Sequence, residues 1–154
     1  MIRILSALRV MAVTATVCTA ASGCDDDDPL APAPITEESI LGAYVATQLD
    51  VTVAGSTTDI LEEGAEITVT LDDDGTTTGR LFVPEGNDDG SDMDVSLDGT
   101  FVFDDDADEL SLNPGAENFL EGVVFTASRD DGSVQLTGTR TFFGTRVDVV
   151  LTQQ

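Results

Sequence analysis

Asp92-Met93-Asp94-Val95-Ser96-Leu97-Asp98-Gly99-Thr100-Phe101-Val102-Phe103 is the stretch whose pattern decides the fold. Met93, Val95, Leu97, Gly99, Phe101 and Phe103 fall on one side of a period-two alternation. Asp92, Asp94, Ser96, Asp98 and Thr100 fall on the other, which stays polar until Val102. Successive side chains of a strand point to opposite faces, so this run predicts a strand with one buried and one wetted face.

Working outward, the same pattern repeats on both sides. Upstream, Ile67, Val69 and Leu71 alternate with Glu66, Thr68 and Thr70, stop at the turn signal Asp72-Asp73-Asp74-Gly75, and resume at Leu81 and Val83, which predicts a hairpin over 65–83. Earlier still, Val45, Leu49, Val51 and Val53 are read on one face of a strand from Gly42 to Ala54 closed by Gly55-Ser56, after a short helix that Thr36 caps and Glu37 and Glu38 open. A helical turn over 59–64 is a further expectation. Downstream, Asp104-Asp105-Asp106-Ala107 turns the chain into Leu110 and Leu112, and Asn113-Pro114-Gly115 breaks it. Residues 116–120 read as a short helix. Val123, Phe125 and Ala127 then mark a strand, Val134 and Leu136 another, and Val147, Val149 and Leu151 the last, after a turn near Phe143-Gly144.

That makes an all-β, antiparallel meander of about eight strands, with no helix long enough to cross over between parallel strands. Closing such a meander into a small barrel removes its unpaired edges, and the short links favour this over a β-sandwich, the competing closure. Counting by twos from Val134 through Leu136 and Gly138 places Arg140 on the apolar face. A charge there needs a partner, which makes Arg140 either a ligand or anion anchor inside the barrel or a structural arginine at its base or rim.

The chain of 154 residues carries 30 acids, 21 of them Asp, against six arginines and no lysine, a formal net charge of −24. Phosphate binding requires cations that release counterions, so nucleic acid is excluded as a partner, as is an electrostatic grip on anionic lipid headgroups. The Asp-rich, lysine-free composition resembles that of salt-adapted proteins, in which screening relieves self-repulsion.

The first 23 residues read as an export signal: Arg3 and Arg9 precede an uncharged apolar stretch that runs from Val10 to Ala21 and is too short to span a bilayer. It ends in Ala21-Ser22-Gly23-Cys24, which resembles the bacterial lipobox, with Ala21 where leucine is commonest. The resemblance implies cleavage before Cys24, lipid on its thiol and a membrane as partner. Two or more acyl chains suffice for stable anchoring. Residues 24–35, with four Asp and three Pro, read as an extended tether, and 36–154 as the domain. After cleavage four Arg face all 30 acids, a formal −26. Asp25 resembles a plasma-membrane retention signal and equally the start of an acidic surface-export signal, so inner membrane, outer membrane and cell surface stay open as locations in the envelope.

From Ile40 onward the order of signals is similar to that of small bacterial lipocalin-like domains. The motifs that carry the likeness are Leu41-Gly42-Ala43-Tyr44, the run from Ile67 to Thr76, Leu97-Asp98-Gly99-Thr100-Phe101 and Val147-Asp148-Val149-Val150-Leu151. The resemblance implies a cavity open at one end and closed at its base by an aromatic residue under an arginine. Tyr44 stands where lipocalins have tryptophan, with Arg146 or Arg140 to cover it. The implied ligand is a small apolar molecule facing Val95, Leu97, Phe101, Phe103, Phe125, Arg140 and Val149, with Gly99 and Gly138 leaving room for it. The alternative is a structural or surface lipoprotein whose barrel is packed solid.

Histidine and lysine are absent, and Cys18 and Cys24 are the only cysteines, so nucleophile–histidine pairs, lysine catalysis and the usual zinc and haem sites have no residues to build them. No enzyme activity and no cofactor are expected. Calcium is the remaining alternative. The segment from Glu85 to Gly90 matches the first half of an EF-hand loop, but Ser96 stands where its bidentate Glu belongs, which leaves Asp104, Asp105, Asp106 and Asp108 as weak candidate ligands.

Overall fold

The computed structural model describes residues 33–87, 89–116 and 118–154. The export segment, Cys24 and most of the tether lie outside the described residues. A single helical turn, α1 (Glu37–Ile40), comes first, held by a capping box in which the Ser39 N–H donates to Thr36 Oγ1 (3.3 Å) and the Thr36 N–H to Ser39 Oγ (2.9 Å). Ten strands follow: β1 (Gly42–Val53), β2 (Ser56–Asp59), β3 (Glu66–Leu71), β4 (Thr76–Val83), β5 (Met93–Ser96), β6 (Gly99–Asp104), β7 (Glu109–Pro114), β8 (Val124–Asp130), β9 (Ser133–Phe142) and β10 (Thr145–Gln153).

All the pairings are antiparallel, and β10 returns to pair with β1 along its length, from Tyr44 opposite Gln153 to Val53 opposite Thr145. The sheet is therefore a closed eight-stranded barrel. The count of ten arises because two walls are each made of two pieces. Strands β3 and β2 lie one after the other along the same side of β1, opposite Gly42–Val45 and Asp50–Val53. Strands β6 and β5 likewise share one side of β4, opposite Thr76–Thr77 and Arg80–Val83.

The alternating run over 92–103 is thus divided at Leu97-Asp98 into two strands that keep one register against β4. Two glycines lie at this break, Gly79 opposite it on β4 and Gly99 just after it. A Cβ on Gly79 would meet the Thr68 carbonyl oxygen and lie 2.9 Å from Val69 Cα; one on Gly99 would meet the Asn113 oxygen and lie 2.8 Å from Pro114 Cα. Backbone approaches so closely there that only glycine fits. The two pieces are tied by the Leu97 N–H, which donates to Gly79 O (3.0 Å), and by the buried Thr77 hydroxyl, which donates to Leu97 O (2.7 Å).

Cross-strand registers stack the inward residues in rungs. Leu49, Val149, Gly138, Phe125, Leu110 and Phe103 form one rung across six of the barrel's eight walls. Toward α1 lies the rung of Ala46, Leu151, Leu136 and Ala127; away from α1 lies that of Val51, Val147 and Arg140. Burying each large apolar side chain here is worth about 1.5–3 kcal/mol, and Leu49, Phe125, Leu110, Leu136 and Leu151 are fully buried.

Several local expectations are corrected. Tyr44 and Leu49 both point inward although five residues separate them, because a bulge between Ala46 and Gln48 inserts one residue and reverses the phase. Val45, read as inward from strict alternation, falls on the opposite face, while Val53 is exposed at the strand end. Gly55-Ser56 does not end the pairing: Ala54 and Gly55 make a tight turn into β2, which is polar and carries no apolar alternation to betray it. Residues 59–64 form turns instead of a helix, with Asp59 Oδ1 accepting from the Leu61 N–H at 2.9 Å. In place of the helix expected over 116–120, turns follow at 119–122, since Asn118 Oδ1 takes the Leu120 N–H (2.8 Å) and competes with helical bonding.

Candidate functional site

The two ends of the barrel differ. At the end where the described chain begins, α1 lies across the opening with Ile40 fully buried, and the Tyr44 hydroxyl donates to Ile40 O at 2.7 Å. Gln153 Nε2 donates to Leu41 O (2.8 Å) and Ser39 O (3.2 Å), fastening the last strand to the plug. Burial pushes the Tyr44 phenol above its ordinary pKa, with the charge of Arg129 acting weakly the other way. Arg129 Nε in turn donates to Ala33 O (3.3 Å), where the chain enters the domain.

Tyr44 therefore lies at the closed base, and neither Arg146 nor Arg140, the arginines expected to cover it, stands there. Arg146 pairs in register with Thr52, eight residues along β1 from Tyr44, on the outer face, where it donates to Asp148 Oδ1 (2.7 Å from Nη2). Thr139 donates to the same oxygen (2.6 Å), and the two hold the Asp148 carboxyl below the usual range, the Arg146 bond contributing most. Strand length alone separates Arg146 from the base.

The opposite end is open. A cavity of about 570 Å³ lies there, lined by Val51, Ile60, Val83, Met93, Phe119, Phe142 and Val147 on its apolar side and by Arg140, Asn118, Glu121 and Thr145 among its polar residues. The strand residues of the wall continue inward-facing series past the last filled rung, while Ile60, Phe119 and Glu121 come from turns, so the space exists because the strands run on beyond the side chains that fill the middle. Phe143, at the tip of the β9–β10 turn with φ +47°, also borders the cavity and is otherwise fully exposed.

Of the seven interior residues expected to face a ligand, only Arg140 lines this cavity. Leu97, Phe101, Phe125 and Val149 are buried in the filled part of the barrel, and Val95 and Phe103 are half-buried against it. The glycines do not leave room for a ligand either. A Cβ on Gly138 would come within 2.6 Å of Val123 Cγ1 and 2.9 Å of Phe125 Cδ1, so the Phe125 ring already occupies that space, and at Gly99 the neighbour is backbone. Val51, Val83, Met93 and Val147 were legible as apolar and inward, while Ile60 and Phe119 sit in turns that no alternation places, and nothing in an alternation says how high up a barrel each residue stands.

Arg140 lies on the inner face that the count by twos gave it, and its position along β9 sets it at the mouth. Its Nη1 donates to the carbonyl oxygens of Asn118 (3.4 Å), Phe119 (3.2 Å) and Glu121, and its guanidinium carbon lies 5.8 Å from the Phe142 ring centroid. It thereby pins the 118–121 segment over the rim. The Asp-rich turn is exposed, and the Asp104 carboxylate is used locally, accepting the Asp106 N–H (3.0 Å) and the Ala107 N–H (3.3 Å). Among the described residues no three acidic side chains converge where a metal ion would sit, and Asp105, Asp106 and Asp108 point into solvent. Among the described residues no helix is long and apolar enough to cross a membrane. Comparison with protein-family models, with curated proteins and with solved structures finds no match to this chain.

Proposed function

We propose that the protein is a membrane-tethered, non-enzymatic envelope lipoprotein, lipocalin-like in architecture, whose barrel holds a small apolar ligand at its mouth. The observation that carries this reading is the cavity of about 570 Å³ walled by Val51, Ile60, Val83, Met93, Phe119 and Val147. Its volume lies within the ~300–1,000 Å³ usual for small-molecule sites, and its make-up, mostly apolar with few polar groups, is what such sites share. The tether reading fits the placement. The described chain enters at the base, beside Arg129, so lipid on Cys24 would leave the mouth at the far end accessible. Histidine, the commonest general base, and lysine are missing from the sequence, which favours binding over turnover.

Native mass spectrometry of the delipidated protein from a bacterial host tests the ligand. A co-purifying apolar compound, or uptake of a solvatochromic dye, is the expected result. A bare mass with no dye uptake would support the rival, a structural lipoprotein with no ligand. The anchor is tested by labelling cells with an alkynyl fatty acid: the protein is expected to carry label, and Cys24→Ala to lose it.

A further inference from the structure

The described arginines of this chain do not share one fate. Arg80 forms a fork with Asp94 (2.8 and 2.9 Å) and lies near Glu66, and Arg146 holds Asp148. Arg140, in a chain with 30 acids, has no carboxylate within ion-pair distance among the described residues. Its three hydrogen bonds all come from Nη1 and all go to neutral carbonyl oxygens, so they fix its position and leave its charge uncompensated. Among the described residues Nε and Nη2 donate to nothing. The cation stands on the same rung as Val51 and Val147, both apolar walls of the cavity.

A half-buried guanidinium beside apolar walls is best satisfied by a partner that supplies both charge and acceptors. A carboxylate does both, and the planar fork of arginine matches it. The geometry points to a single-chain amphiphile with a carboxylate head as the ligand class, its head on Arg140 and its chain against Val51, Ile60, Val83 and Met93. This rests on the mouth being a ligand site and adds the chemistry of the occupant. The chain's net negative charge opposes any anion, as does Glu121 at the rim, but exposed charges are screened over a Debye length of ~10 Å at 0.1 M salt whereas the head lies in contact with Arg140.

The test is displacement of the neutral dye Nile red from the purified protein by dodecanoate, dodecanol and dodecyltrimethylammonium, each below its micelle concentration. Dodecanoate is expected to displace the dye at about tenfold lower concentration than dodecanol, the scale of one hydrogen bond to a charged group, with the ammonium weakest. Arg140→Met should abolish that preference. Arg140→Lys, which keeps the charge, should retain the order, and Glu121→Gln should strengthen dodecanoate. Dodecanol or the ammonium compound matching dodecanoate on the unaltered protein, or a preference that survives Arg140→Met, overturns the assignment while leaving the mouth a ligand site. Failure of the dye and all three probes to bind refutes the site and this inference together.

Discussion

Tyr44 carries two roles in one side chain. Its ring fills the base, and its hydroxyl gives the Ile40 carbonyl, at the end of the plug, a donor that solvent cannot reach. Replacing it with Phe keeps the ring and leaves that oxygen unpaired, so Tyr44→Phe is expected to cost about 1–3 kcal/mol at neutral pH by chemical denaturation. The same residue sets an alkaline limit. Because burial raises the folded-state pKa, the folded chain keeps its phenolic proton while the unfolded one loses it from about pH 10 upward. The stabilisation is complete below that pH and is lost as pH rises toward the folded value. Stability of the natural protein should fall above pH 10, and in Tyr44→Phe, monitored the same way, this limb should be missing. Arg140 is the other residue whose meaning depends on position: the count by twos put it on the inner face, while the register put it at the rim, on the 118–121 carbonyls.

At the scale of elements, the barrel closes through discontinuities that alternation does not announce. The bulge in β1 lets Tyr44 and Leu49 share an interior, and the break at Leu97-Asp98 divides into two strands a run that holds one register against β4. Gly79 and Gly138 separate two kinds of close approach. At Gly79 the obstacle is backbone of the neighbouring strand, which cannot move without opening the sheet; at Gly138 it is the side chains of Val123 and Phe125, which can shift rotamer. Gly138→Ala is expected to cost about 1–3 kcal/mol, as overpacking does, and Gly79→Ala more than that, with equilibrium unfolding as the measurement. Equal costs would show that the wall at Gly79 yields as easily as a side chain. The hairpin over β3 and β4, the short helix and the last hairpin were readable because each combines alternation with a local cap or turn. The β2 strand was not, since Ser56–Asp59 is polar on both faces and pairs only because β1 runs on past β3.

For the whole molecule the governing quantity is charge. The base-end turns carry Asp72, Asp73, Asp74, Asp104, Asp105, Asp106, Asp108, Asp130 and Asp131, while Glu62, Glu63 and Glu85 lie near the mouth, so repulsion is spread over both ends. Few cations offset it. Folding concentrates this charge, and salt screens it, so the melting temperature should rise from low salt to about 1 M NaCl, where the Debye length is ~3 Å. A melting temperature flat over that range would remove the salt-adaptation reading, and a rise with millimolar calcium that NaCl of equal ionic strength fails to reproduce would point to cation binding instead.

Composition and period two, properties of the chain taken a few residues at a time, determined that this protein is an antiparallel all-β meander with an apolar face, an acidic exterior and no histidine or lysine; the return of β10 to β1 decided for a barrel over a sandwich. Tertiary structure decided which inward residues are filling and which are wall. The reason is that a side chain's face is set by its neighbours along the strand, whereas its height in the barrel is set by strand stagger, bulges and kinks, which sum over strands distant in sequence. Phe125 and Arg140 look equally inward in the chain, yet register puts one in the packed middle against Gly138 and the other at an open mouth.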